Sequence, residues 1–111
     1  MKSEVKNGVL VIYLEGNVLG EHIKGHIMDL IHSNIDAGNK KLIFNMSDMK
    51  YLDSIGLGAL LSAVTKIRTA GGATVLCSVP EQMTKLLKMT KLESAFNQQP
   101  SEEAALSFLE K

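Results

Sequence analysis

Three short apolar runs constrain what this chain can fold into. Val9-Leu10-Val11-Ile12-Tyr13-Leu14, Leu42-Ile43-Phe44 and Val75-Leu76-Cys77 lack the polar alternation of a strand with one wet face. Each therefore reads as a strand covered on both sides. Between them the period changes. Over residues 21–37 the apolar side chains fall at Ile23, Ile27, Leu30, Ile31 and Ile35. Over residues 54–70 they fall at Leu57, Leu60, Leu61, Val64 and Ile67. Steps of three and four mark one face of a helix, and Gly38 and Gly71-Gly72 end the two helices.

Strand–helix–strand alternation needs parallel crossovers, and Asn7-Gly8 ahead of the first run signals a hairpin turn that adds an antiparallel strand. Further on, Pro80 opens a short helix with Met83, Leu86 and Leu87 on its inner side. Residues 95–98 suit a short edge strand. Ser101 reads as the N-cap of a last helix, with Glu102 and Glu103 in its first turn and Leu106, Phe108 and Leu109 turned inward. The expected fold class is α/β: one domain over residues 1–111, a mixed sheet with an N-terminal hairpin, and about four packed helices.

A chain of 111 residues can bury a core without disulfides. Twelve basic residues balance twelve acidic ones, which argues against a counterion-driven grip on nucleic acid or on an anionic membrane. Lys85, Lys88 and Lys91 read as a solvated helix face. No segment approaches the roughly 20 apolar residues of a membrane span, and the first apolar run lacks the layout of a secretory signal, so a cytoplasmic protein is expected. Cys77 lies in an apolar run and reads as a small buried hydrophobe. His22, His26 and Asp29 could share one helix face, but they match no established zinc pattern, and no metal or cofactor is expected. The six methionines suit core filling, although Met46 and Met49, flanking an expected loop over residues 46–53, offer an adaptable apolar contact for a partner.

The chemistry concentrates in Tyr51-Leu52-Asp53-Ser54-Ile55-Gly56-Leu57-Gly58. This segment leads from the carboxyl end of a central strand into a helix, where open α/β sheets carry their sites. Ser54 falls at or beside the helix N-cap, where free amides and the positive dipole end favour phosphate. Gly56 and Gly58 each cost a helix about 1 kcal/mol against alanine. Either close packing on a neighbouring strand or an open approach to the Ser54 hydroxyl accounts for them.

The run from Tyr51 to Leu61 resembles the phospho-acceptor segment of the STAS family of bacterial anti-sigma-factor antagonists. So do Gly71-Gly72-Ala73-Thr74-Val75-Leu76 and Leu86-Leu87-Lys88-Met89-Thr90-Lys91-Leu92, in order and spacing across the chain. The resemblance implies a phospho-switched binding module that is not an enzyme. It implies phosphorylation at Ser54, a partner that is an anti-sigma factor and serine kinase, a cognate phosphatase, and a monomeric or weakly dimeric state. The contact surface it implies comprises Asp48, Met49, Asp53, Ser54, Ile55, Gly56 and Leu57. Three positions depart from the family pattern: Ile55 replaces a small or hydroxylic residue, Asn45 an aspartate, and Leu19 an aspartate.

Two other functions fit less well, and one alternative lies inside the family. Leu52-Asp53-Ser54-Ile55 also resembles the site that takes phosphopantetheine in carrier proteins, but those are all-helical and acidic. Gly-x-Ser-x-Gly is absent around Ser54, which argues against a serine hydrolase. The alternative within the family is a docking subunit of a stress-sensing or lipid-transport complex that involves no sigma factor.

Overall fold

The computed structural model describes residues 2–110. At the first turn, Asn7 and Gly8 both adopt positive φ, at 52° and 77°, the geometry that joins twisted antiparallel strands through two residues. This turn links β1 (Lys2–Lys6) to β2 (Val9–Val18). The chain continues through α1 (Gly20–Asp36), β3 (Lys41–Leu52), α2 (Ser54–Thr69), β4 (Ala73–Cys77), α3 (Glu81–Met89), a single 3₁₀ turn (Glu93–Ala95), β5 (Asn97–Gln99) and α4 (Glu102–Leu109).

The five strands stand side by side in sequence order, with β1 antiparallel to β2 and every later pair parallel. Alternate residues of the central strands feed two separate cores, as a period of two requires. Leu10, Ile12, Leu14, Leu42, Phe44 and Leu76 pack beneath α1 and α2, against Ile27, Ile31, Leu60 and Ile67. Val9, Val11, Ile43, Val75 and Cys77 face the other way, towards Ala105 and Leu109 of α4. The central strands are thus covered on both sides, as their unbroken apolar runs predict. Burial pushes the Cys77 thiol up to about 11, which keeps it protonated and inert at neutral pH.

The structure differs from expectation in several places, among them β5, which covers Asn97–Gln99 while Ala95 ends the 3₁₀ turn. β2 runs on to Val18, and β3 runs to Leu52 where a loop over residues 46–53 was expected. The extra lengths pair with each other, Val18 opposite Leu52, through register shifts near Glu15 and Asn17. Such bulges change which face a side chain takes, so Met46, Met49 and Leu52 recur every three residues and hide the strand from a period-two reading. Leu57 and Leu61 are only half-buried, and Leu106 likewise. Phe108 leaves 40% of its surface exposed rather than packing inward. Pro80 serves as the N-cap of α3 rather than its first helical residue.

Ser101 caps α4 as expected, accepting from the Ala104 amide at 3.1 Å. Glu102 then ties α4 to the hairpin: Lys6 Nζ donates to it at 2.6 Å and Asn45 Nδ2 at 3.2 Å. Burial alone would raise the Glu102 carboxyl, but hydrogen bonds from Lys6, Tyr13 and Asn45 outweigh it and hold the group below the usual carboxylate range. Because the folded value is the lower one, the stabilisation is complete above the unfolded value near pH ~4.3 and disappears as pH falls through the folded one. Urea midpoints measured from neutral to acid pH should therefore fall less steeply below pH ~4.3 for Glu102→Gln than for the parent.

Candidate functional site

The amino ends of α1 and α2 meet at the carboxyl ends of β2 and β3, and one carboxylate joins them. Asp53 has extended backbone (φ −93°, ψ −179°) and caps α2, accepting from the Gly56 amide at 2.7 Å through Oδ1. Its other oxygen accepts from the Gly20 amide of α1 at 3.1 Å. Leu19, at the cap position of α1, offers no acceptor of its own. Asp53 therefore supplies it from across the site, and its own amide bonds to Val18 O at 3.3 Å. Asp53→Ala should cost about 1–2 kcal/mol, the usual loss for a cap. Asp53→Asn should recover part of it, because asparagine also caps well; chemical denaturation of both variants checks this.

Ser54 is the first helical residue, not the cap, and its side chain is exposed. The ordinary structural duty of a serine before a helix is thus already taken by Asp53. Among the described residues, Gly56 bonds to the Asp53 side chain and Leu57 to the Asp53 carbonyl, while the Ser54 and Ile55 amides have no such acceptor. Two free amides at a helix start are suited to anionic oxygen.

The two glycines differ. A Cβ on Gly56 would lie 2.5 Å from Val18 O and 2.8 Å from Leu52 Cδ1, so Gly56 lets α2 lie directly on the end of β2. A Cβ on Gly58 would meet nothing within 4 Å. Close packing therefore accounts for Gly56 alone.

The expected contact residues are not all brought together. Ser54 is exposed, Asp53 and Ile55 are half-buried, and Leu57 packs partly into the core. Gly56 is buried and presents no surface to a partner. Met46 is fully buried and Met49 is 8% exposed, so both fill the core instead of forming the adaptable contact expected of them. Asp48 is exposed on β3 opposite Glu15. At about 3.3 Å per residue, four strand positions put it roughly 13 Å from Leu52, beyond the ~8 Å over which salt screens exposed charges. Two apolar residues at this end are exposed: Tyr51, which opens the serine motif, by 65%, and Leu19, a departure from aspartate, by 43%. Their exposure is not readable from residue type.

Asn45 and Leu19, the two departures from aspartate, now have structural roles. Asn45 donates to Glu102 and accepts from the Ser47 amide at 3.0 Å. Leu19 is an uncapped helix entry served by Asp53. Elsewhere, Lys85 lies 3.7 Å from Glu81 on an exposed face of α3. Among the described residues no three His, Cys, Asp or Glu side chains are grouped to hold a metal ion, His22, His26 and Asp29 included. No helix among them is long and apolar enough to cross a membrane.

A mixed sheet in strand order 1-2-3-4-5, with α1, α2 and α3 on one face, α4 on the other and the capped serine helix starting at its carboxyl edge, defines the architecture. The chain belongs to the STAS domain family, whose model matches residues 1–105. It is 26% identical, over 99% of its length and 94% of the relative's, to the anti-sigma F factor antagonist of Paenibacillus polymyxa. Among solved structures it resembles the anti-sigma factor antagonist SpoIIAA in its unphosphorylated form, with 23% identity and a TM-score of 0.78 over 98% of this chain and 96% of that one. It also resembles the Bacillus cell fate determinant SpoIIAA in the phosphorylated form, with 26% identity and a TM-score of 0.75 over 96% of both chains.

Proposed function

We propose that this protein is an anti-sigma-factor antagonist: a binding module without catalysis of its own, switched by phosphorylation of Ser54. The observation that carries the reading is the state of Ser54. It is exposed at the first position of α2, relieved of capping by Asp53, with its own amide and that of Ile55 free. The relationship to an anti-sigma F factor antagonist and the likeness to a phosphorylated SpoIIAA support it.

In the unmodified protein the start of α2, with Ser54 and Ile55, docks on an anti-sigma factor that is also a serine kinase, and so withholds that factor from its target. Leu19 and Tyr51 flank this surface as exposed apolar anchors of the kind that interface centres favour. Phosphate at Ser54 adds about −1.5 to −2 charges beside the Asp53 carboxylate. The helix amides hold the phosphate, so the fold survives while the interface is lost. A phosphatase restores binding. The setting is the cytoplasm, where kinase, ATP and sigma factor meet.

The test is calorimetric titration of the purified protein with the anti-sigma serine kinase it captures, before and after incubation with ATP and Mg²⁺. Binding before and loss of binding after support the reading. Equal affinity in both states, with phosphate incorporated, contradicts it.

A further inference from the structure

The chain contains six asparagines, and one of them is set apart. Asn7 precedes a glycine, whereas the others precede Val18, Ile35, Lys40, Met46 and Gln98, whose side chains crowd the intervening amide nitrogen. Asn17, Asn34, Asn45 and Asn97 also lie inside strands or α1, and the Asn39 carboxamide donates to Asn34 Oδ1 at 3.1 Å. Asn7 and Gly8 sit between β1 and β2 as the two-residue turn, and both are exposed. Among the described residues, neither the Asn7 carboxamide nor the Gly8 amide takes part in a hydrogen bond, and a Cβ on Gly8 would meet nothing within 4 Å.

These are the conditions for an intramolecular reaction. The Gly8 nitrogen attacks the side-chain carbonyl carbon of Asn7, the carboxamide nitrogen leaves as ammonia with the amide proton, and a five-membered succinimide closes. Adjacent residues make the step unimolecular, and the missing side chain leaves the nitrogen unhindered. Ring closure requires the turn backbone to rotate. β1 resists this weakly, because four of its five side chains are exposed and Lys6 is half-buried. Water then opens the ring. Opening at the side-chain carbonyl gives aspartate. Opening at the main-chain carbonyl, which the neighbouring amide nitrogen activates, gives isoaspartate, and the main chain then runs through the former side chain.

We propose that Asn7 is a site of spontaneous deamidation, converted mainly to isoaspartate, and that the conversion releases β1 from β2. An isoaspartyl link adds a methylene to the main chain of a turn whose length sets the hairpin register. β1 is an edge strand, and among the described residues β2 is its one partner, so no second ladder holds it in place. The new carboxylate also stands next to Lys6, whose ammonium donates to Glu102 of α4 at 2.6 Å. The turn lies at the amino end of β2 and Ser54 follows the carboxyl end of β3, so the proposal is independent of the phosphorylation switch.

The experiment stores the full folded chain in neutral buffer and follows it by peptide mass spectrometry and by methylation with an isoaspartyl methyltransferase. Cleavage after Lys6 and Lys24 releases Asn7 and Asn17 in one peptide, so Asn17 serves as the internal control. The mass gain of an acid over an amide should appear at Asn7 and not at Asn17, with the isoaspartyl form predominating. Asn7→Asp suits the same turn geometry and has no ammonia to lose, so its mass should stay constant. In the isolated isoaspartyl form the β1 amides should exchange hydrogen about tenfold faster or more, while those of β4 keep their protection. Two results would each overturn the proposal: Asn7 intact in the folded chain while the denatured chain converts, or β1 protection unchanged in the isoaspartyl form.

Discussion

Phosphorylation of Ser54 is expected to weaken binding to the anti-sigma kinase by about a hundredfold. Roughly 3 kcal/mol gives that factor: docking strips water from the phosphate and removes the screening between it and the neighbouring carboxylate, and burying such like charges in an interface costs several kcal/mol. The carboxylate concerned is Asp53, the residue directly before Ser54, whose oxygens are already committed to the Gly56 and Gly20 amides. Asp48 adds little, because the extension of β3 carries it far from Ser54. Ser54→Ala should bind like the unmodified protein and resist the kinase. Ser54→Asp places one charge where the phosphate has nearly two, so a loss of about tenfold is expected. Titration calorimetry with the purified kinase measures all three. Equal affinity of Ser54→Ala and Ser54→Asp would reduce Ser54 to an ordinary first residue of a helix.

The second large effect separates the two glycines of the same helix. Gly56→Ala should destabilise the protein by about 2–3 kcal/mol, because the new methyl meets a backbone carbonyl that cannot step aside. Helix propensity returns only about 1 kcal/mol of the steric cost, and that figure is the net. Gly58→Ala should do the reverse and stabilise by about 1 kcal/mol, since its methyl enters open space and the helix gains an alanine. For a domain of this size the two variants should melt well apart, Gly56→Ala roughly 10 °C or more below Gly58→Ala. Thermal unfolding followed by circular dichroism reads the difference. Similar shifts for both would mean that α2 does not lie on β2 as described.

The sequence made the scaffold legible wherever one pattern held over a whole element. The unbroken apolar runs of β2, β3 and β4 announced two-sided burial, and Asn7-Gly8 announced the hairpin, because both signals depend on local geometry alone. The carboxyl ends of β2 and β3 were not legible. Bulges near Glu15 and Asn17 shift the register there, so a real strand reads as a loop. The same displacement turned Met46 and Met49 from expected surface into core.

At the site, Ser54 was recognisable from its neighbours in the chain, but Asp53 as a bolt between two helices was not. Its bond to Gly20 spans 33 residues of sequence, and no local pattern encodes such a contact. Gly56 and Gly58 look alike in sequence and differ only in what stands opposite them. The exposure of Tyr51 and Leu19 likewise depends on the assembled surface rather than on residue type.

The central claim is that Ser54 takes the phosphate, and peptide mapping after reaction with the kinase, ATP and Mg²⁺ tests it most directly. Cleavage after Lys50 and Lys66 releases Ser54 in one peptide together with Ser62 and Thr65, and fragment ions tell the three apart. One phosphate on Ser54, absent from Ser54→Ala, is the predicted result. Phosphate on Ser62 or Ser47, or none at all with a kinase active on itself, would contradict the account.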